Sequence, residues 1–279
     1  MKANTAALYT VKTEPLTGKC FRYVRTKFAS EPLSMYGALK NGGRYLLGYV
    51  TLADYRGEQT VKHILCFGDS NTFGTIDFAV TDRFDLQRRW TGLLASDLGP
   101  KCRIIEEGMP GRTTAFDDPL REFRSGRKYL APCLNSHRPL DLIIVMLGTN
   151  DLQMRFSASA VDIATGIEIL VDLIRKAGAG PEGGIPEILI VAPPPIGSID
   201  PIEEPCWTGA LQKSLQLPVQ YARIAKQYQC HFVNSQEVLT TDDLGRDGLH
   251  LAESGHVKLA KLLSQKAMNI LAKEAIGAN

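Results

Sequence analysis

Four short segments carry residue types that work together in acyl transfer. They are Gly68-Asp69-Ser70-Asn71, Gly108-Met109-Pro110-Gly111, Gly148-Thr149-Asn150-Asp151 and Asp247-Gly248-Leu249-His250. A serine hydroxyl is a weak nucleophile at neutral pH and needs a neighbouring general base. His250 is the candidate base, because imidazole ordinarily titrates near ~6.5. Asp247, three residues earlier, can accept the second ring proton and fix the tautomer. The tetrahedral intermediate needs preorganised donors around its oxyanion. Three candidates are present: the backbone N–H of Ser70, the backbone N–H of Gly111 and the side-chain amide of Asn150. Gly111 has no Cβ, so its backbone can approach a substrate closely.

Taken singly, each segment also has a purely structural reading. Glycine after a strand makes a turn, and Ser or Asn there caps a helix. Asp247 can cap a turn and His250 can sit on a surface. The functional argument rests on the order and placement of all four.

Placement comes from the elements around them. From residue 61 onward, apolar strand-like runs alternate with helical patterns. The pattern predicts strands over 63–67, 102–106, 140–147, 186–192 and 231–233. It predicts helices over 89–98, 160–176, 207–229 (broken near Pro218) and 252–275. Such alternation implies a parallel sheet with helices on both faces. Near-continuous apolar strands fit a sheet covered on both sides. Ligands of open sheets bind outside the carboxyl ends of the strands. Ser70, Gly111 and Asn150 all follow predicted strands, and His250 precedes the last helix.

Composition narrows the function classes. The chain has 279 residues, 44% of them hydrophobic, with a formal net charge of +2 from 32 basic and 30 acidic residues. A near-balanced charge argues against non-specific nucleic-acid binding. No stretch reaches the ~18 apolar residues of a membrane helix. Residues 1–15 lack the apolar core of a secretory signal. The six cysteines are dispersed, without a C-x-x-C pair. They read as reduced thiols of a cytoplasmic protein rather than as a zinc site. No metal or other cofactor is expected. His63, His137 and His231 read as structural or exposed, and His250 and His256 lie off a common helix face.

The ordered segments resemble the SGNH (GDSL-type) hydrolase superfamily. Ile64–Ser70 (ILCFGDS), Arg89–Leu94 (RWTGLL), Ile105–Thr114 (IEEGMPGRTT), Asp117-Asp118-Pro119 and Met146–Asp151 (MLGTND) resemble its arylesterase/acyltransferase branch, which includes perhydrolases. The resemblance spans about residues 61–275. It implies a three-layer α/β/α sandwich with a flavodoxin-like parallel sheet. It implies Ser70 as nucleophile, His250 as base and Asp247 as its partner, with Ser70, Gly111 and Asn150 forming the oxyanion hole. It implies short-chain ester substrates, acyl transfer to alcohols or peroxide in some members, and a homo-oligomer with a restricted channel. The chain departs from the pattern at Asn71, where many relatives carry Leu, and at Pro110, where Ser is common. Phe73 and Thr75 stand where well-known acyltransferases carry Trp, and Thr75 would open or wet the channel. Asp69 reads as a brace of the turn, Asp151 as a cap for the following helix, Arg112 as a conformational or salt-bridging residue, and the prolines after residue 192 as shaping the mouth of the site.

The first sixty residues differ from the rest. They carry nine Lys/Arg against four acids, and six of the nine tyrosines. Arg22-Tyr23, Glu31-Pro32-Leu33-Ser34, Gly37-Ala38 and Gly42-Gly43-Arg44-Tyr45 resemble the opening of a RES domain, over residues 20–50 only. The rest of such a domain is absent, so no NAD chemistry is carried over. The alternative is a Gly-rich, hairpin-like extension. The expected organisation is therefore a poorly structured extension over 1–60 and an SGNH hydrolase domain over 61–279. The expected function is a serine esterase or acyltransferase acting on small acyl or aryl esters. A carbohydrate O-deacetylase with the same triad is the alternative within enzymes, and a non-catalytic binding module is the alternative outside them.

Overall fold

A computed structural model describes residues 61–77, 79–199 and 201–277, and the strands Tyr23–Val24, Met35–Asn41 and Arg44–Val50 of the first sixty. Those three strands pair antiparallel among themselves, Asn41 facing Arg44 at the end of the longer hairpin. Arg22, Glu31–Ser34 and Gly42-Gly43 of the RES-like stretch lie outside the described residues. The chain separates into two units, 1–60 and 61–279.

The second unit is built on five parallel strands: β1 (Lys62–Gly68), β2 (Cys102–Gly108), β3 (Leu142–Met146), β4 (Glu187–Ala192) and β5 (His231–Asn234). Their order is β2-β1-β3-β4-β5. That is the flavodoxin-like order, whose direction reverses between β1 and β3. The helices are α1 (Ser70–Phe73), α2 (Trp90–Leu98), α3 (Gly126–His137), α4 (Ala160–Ala177), α5 (Leu217–Tyr228) and α6 (Glu253–Gly277).

Strand alternation sends the core to both faces. Leu65, Phe67, Ile143, Val145, Ile188 and Ile190 pack with Leu130 and Leu134 of α3, Ile163 and Ile167 of α4, and Tyr221 of α5. Ile64, Cys66, Leu142, Ile144, Leu189 and Val191 pack with Trp90 and Leu94 of α2 and Leu259 and Leu263 of α6. The result is the expected three-layer α/β/α sandwich.

Local chemistry sets the element ends. Ser159 and Asp162 form a reciprocal capping box at the start of α4. Gly99, at φ 69°, closes α2. The predicted helix over 207–229 is three pieces: a 3₁₀ turn Glu204–Trp207, a short helix Ala210–Ser214, and α5. Pro218 falls in the first turn of α5, where a missing N–H costs nothing, rather than inside one long helix. Two unforeseen elements stand out among the described residues. One is α3, whose Pro132 and polar residues mask the spacing of Leu130, Cys133 and Leu134. The other is the small hairpin Thr75–Ile76 with Ala79–Arg83.

Candidate active site

The carboxyl ends of β1 and β3 flank the reversal point, and the predicted residues gather there. Ser70 is the first residue of α1, directly beyond β1. Its N–H lies at a helix position that intrahelical bonding leaves unused. Asp69 caps this helix, its Oδ1 accepting from the Asn71 N–H at 2.9 Å. Burial pushes the Asp69 carboxyl up to about 6, against the pull of the Asn71 N–H and the charges of His250 and Arg112. Asp69 therefore braces the turn, as its position suggested.

Gly108 at the end of β2 lets α1 come in close. A Cβ there would lie 2.2 Å from the Phe73 nitrogen. Gly111 has φ +78°, a conformation that favours glycine, and its N–H has no acceptor among the described residues. Asn150 follows β3 and donates Nδ2 to the Arg112 carbonyl at 3.1 Å. An amide nitrogen carries two hydrogens, so this bond orients the group and leaves a second donor. Arg112 is buried. Its guanidinium donates to the Gly68 carbonyl at 2.8 Å and to the Glu107 carbonyl, and lies 4.3 Å from the Phe67 ring centroid. Burial lowers its pKa. It thus ties the ends of β1 and β2 and makes no salt bridge among the described residues.

Asp247 and His250 occupy one turn. His250 Nδ1 and Asp247 Oδ2 are 2.5 Å apart. Asp247 Oδ1 accepts from the N–H groups of Leu249 (2.9 Å) and His250 (3.0 Å). Burial by itself would raise the Asp247 carboxyl, but the ring bond, the His250 charge and the two backbone donors outweigh it and hold the group below the usual range. An ionised Asp247 fixes the proton on Nδ1, which puts the basic lone pair on Nε2.

Ser70, Gly111, Asn150 and His250 line one cavity of about 370 Å³. Thr75 and Pro110 line it too, while Phe73 does not and instead packs under Arg83, 4.1 Å from its ring centroid. Pro193–Pro195 are also absent from the lining. Asp151 corrects the expectation of a helix cap. It is fully buried and accepts from the Thr114 N–H at 2.9 Å and the Thr114 hydroxyl at 2.5 Å. Burial raises it to about 7. Ser159 caps α4 in its place.

Sequence reasoning under-read Asn71. Its Nδ2 donates to the Leu249 carbonyl at 3.2 Å, and its Oδ1 accepts from the Leu251 N–H at 2.8 Å. The three cavity arginines Arg121, Arg124 and Arg155 were not singled out either. The remaining histidines lie outside the lining of this cavity. His256 is buried, with Nδ1 accepting from the Trp90 N–H, and burial lowers it to about 4. Glu107, Cys133 and His137 bring possible ligand atoms within 4.8 Å of one another. There the Glu107 oxygens are already engaged, one 2.8 Å from His137 Nε2 and the other accepting from the Tyr129 hydroxyl at 3.1 Å.

A 2-1-3-4-5 sandwich with Ser70, Gly111, Asn150 and His250 around one cavity defines the SGNH class of hydrolase. The model of the GDSL-like lipase/acylhydrolase family matches residues 66–258. The aryl esterase of M. smegmatis is 37% identical, with a TM-score of 0.71, over 75% of this chain and 99% of that one. A carbohydrate acetylesterase from Sinorhizobium meliloti is 36% identical, with a TM-score of 0.71 over the same shares. A putative arylesterase from Agrobacterium tumefaciens is 32% identical, with a TM-score of 0.68, over 75% of this chain and 99% of that one. Comparison with curated proteins finds no match. The chain belongs to the GDSL-like lipase/acylhydrolase family, and its class of chemistry is ester hydrolysis. Among the described residues, no helix is long and apolar enough to cross a membrane.

Proposed function

We propose that the chain is a serine esterase that cleaves small short-chain acyl or aryl esters through an acyl-enzyme. The observation that carries this reading is the 2.5 Å contact of His250 Nδ1 with the buried Asp247 carboxylate, in a turn whose histidine shares a cavity with Ser70. Nε2 of His250 takes the Ser70 Oγ proton as Oγ bonds to the ester carbonyl carbon. The carbonyl electron pair moves onto oxygen, facing the N–H groups of Ser70 and Gly111 and the Asn150 amide. Collapse of this intermediate breaks the bond to the alcohol, which leaves with the proton from His250. Water then repeats the sequence on the acyl-enzyme and restores Ser70. An alcohol or peroxide in place of water gives acyl transfer, the side activity of this reading.

The hydrolase domain is taken as residues 61–279, with 1–60 as an extension; the family match within 66–258 supports that boundary. Leu120 and Phe123, strongly exposed on the loop after Pro119, support a homo-oligomer that covers them. The free thiols of Cys66, Cys102, Cys133, Cys206 and Cys230 support a reducing, cytoplasmic setting. A second reading, carbohydrate O-deacetylation, is favoured by the likeness to the S. meliloti carbohydrate acetylesterase. Reaction with a fluorophosphonate tests the shared core. Peptide mass analysis is expected to find the phosphonyl adduct on Ser70, and an adduct elsewhere or none would overturn the assignment.

A further inference from the structure

We propose that the cavity beside Ser70 accepts an ester bearing a carboxylate, held by Arg124 together with Arg121. This rests on the esterase reading above and adds the charge of the substrate to it.

Three arginines line the cavity, Arg121, Arg124 and Arg155. Two of them share a single carboxylate. Asp118 Oδ2 lies 3.0 Å from Arg121 Nε and 3.2 Å from an Arg155 Nη. The Asp118 side chain is fully buried, and its Oδ1 already accepts from the Leu120 N–H at 2.9 Å. Arg124 has no share in it. Among the described residues the Arg124 side chain forms no hydrogen bond or ion pair, and its Nε is buried without an acceptor. The Nε of Arg155 is likewise buried and unmatched.

Two other carboxylates, Asp77 and Glu203, line the cavity. Asp77 Oδ1 is taken by the Arg246 N–H at 2.9 Å, and Glu203 is exposed. Neither forms an ion pair with the three arginines among the described residues. The arginine side of the cavity therefore carries more donors than acceptors.

Position ties this surplus to the chemistry. A Cβ on Gly111 would lie 3.1 Å from an Arg121 Nη, so that guanidinium rests against the candidate oxyanion glycine. A buried donor without an acceptor costs free energy, which an anionic ligand recovers. A carboxylate matches the planar fork of a guanidinium through two parallel hydrogen bonds. Its attachment point, acyl chain or alcohol, is distinguished by the arms of the test.

The test measures kcat/KM at low ionic strength for two pairs of esters. Mono-p-nitrophenyl succinate against p-nitrophenyl butyrate places the charge on the acyl side. 4-Acetoxybenzoate against 4-acetoxybenzamide places it on the leaving group. In at least one pair the anionic ester is expected to be preferred about ten-fold or more, the worth of one charge-assisted hydrogen bond. Arg124→Gln should bring that ratio close to one, Arg124→Lys should keep part of it, and molar salt should reduce it in the unaltered protein. Ratios near one in both pairs, with the neutral esters still cleaved, would overturn the anionic substrate while leaving the esterase reading in place. A preference that Arg124→Gln does not change would overturn the role of Arg124. If none of the four esters is cleaved, the esterase reading fails as well.

Discussion

The Asn71 side chain grips both neighbours of His250. Its Nδ2 donates to the carbonyl of Leu249 and its Oδ1 accepts from the N–H of Leu251. Asn71 also follows Ser70 directly. One buried amide thus fixes the distance between the element carrying the nucleophile and the turn carrying the base. Leucine, frequent at this position in the resembling family, could make neither bond.

Asn71→Leu keeps the branched four-heavy-atom shape and removes both hydrogen bonds, leaving the Leu249 carbonyl and the Leu251 N–H without their partner. Each buried group so abandoned costs about 1–3 kcal/mol. The melting temperature is expected to fall by several degrees, at about 2–4 °C per kcal/mol for a domain of this size. Because the loss falls between Ser70 and His250, kcat should drop more than KM rises. Calorimetry and steady-state kinetics on one preparation check both. A variant that melts lower with kcat intact would reduce Asn71 to a packing residue.

Asp247→Asn tests the tautomer argument. The amide can present an N–H to His250 Nδ1, which moves the ring proton to Nε2 and removes the base. The expected loss in kcat is about 10³–10⁴-fold, the scale of the same change in a serine-protease triad. Asp247 also has a folded pKa below its unfolded value. Its contribution to stability is therefore complete above an unfolded pKa of about 4 and is lost as pH falls through the lower folded value. Acid unfolding followed below pH 4 should show a shallower loss in Asp247→Asn than in the unaltered protein.

Asp151 titrates in the opposite sense. Its folded pKa, about 7, lies above the ordinary carboxylate range. Between about pH 4 and pH 7 the folded state holds a proton that the unfolded state releases, so stability from this group falls as pH rises. Asn in its place does not titrate. The stability difference between Asp151→Asn and the unaltered protein should therefore shift in favour of the variant from pH 4 to pH 7, by denaturant titration at each pH. A pH-independent difference would show that Asp151 stays ionised.

Gly108→Ala places a methyl group 2.2 Å from the Phe73 nitrogen and 2.6 Å from the Thr72 carbonyl carbon, both backbone atoms. Side-chain adjustment cannot relieve that overlap. The expected cost is about 2–3 kcal/mol, with Ser70 displaced along with α1. Urea unfolding and residual activity check the two parts.

The parallel sandwich was legible because its strands are buried on both faces and so read as unbroken apolar runs, Leu142–Met146 above all. Ser70, Asn150, Asp247 and His250 were legible because each sits in a short segment of distinctive residues. The Asn71 clamp was not, since its partners lie 178 and 180 residues away. Arg121 and Arg124 belong to no sequence motif, because only the folded chain shows Arg121 and Arg155 sharing Asp118 while Arg124 is left over. Asp151 read as a cap from its place beside Asn150, but its carboxylate turns inward to Thr114. The helix α3 was hidden by Pro132, which interrupts its pattern without ending it.

The central claim is that Ser70 carries the acyl group, and the direct measurement is p-nitrophenyl acetate hydrolysis by the unaltered protein and by Ser70→Ala. The account predicts robust turnover in the first and a loss of about 10³-fold or more in the second, with an unchanged melting temperature. Equal rates in the two proteins would contradict it.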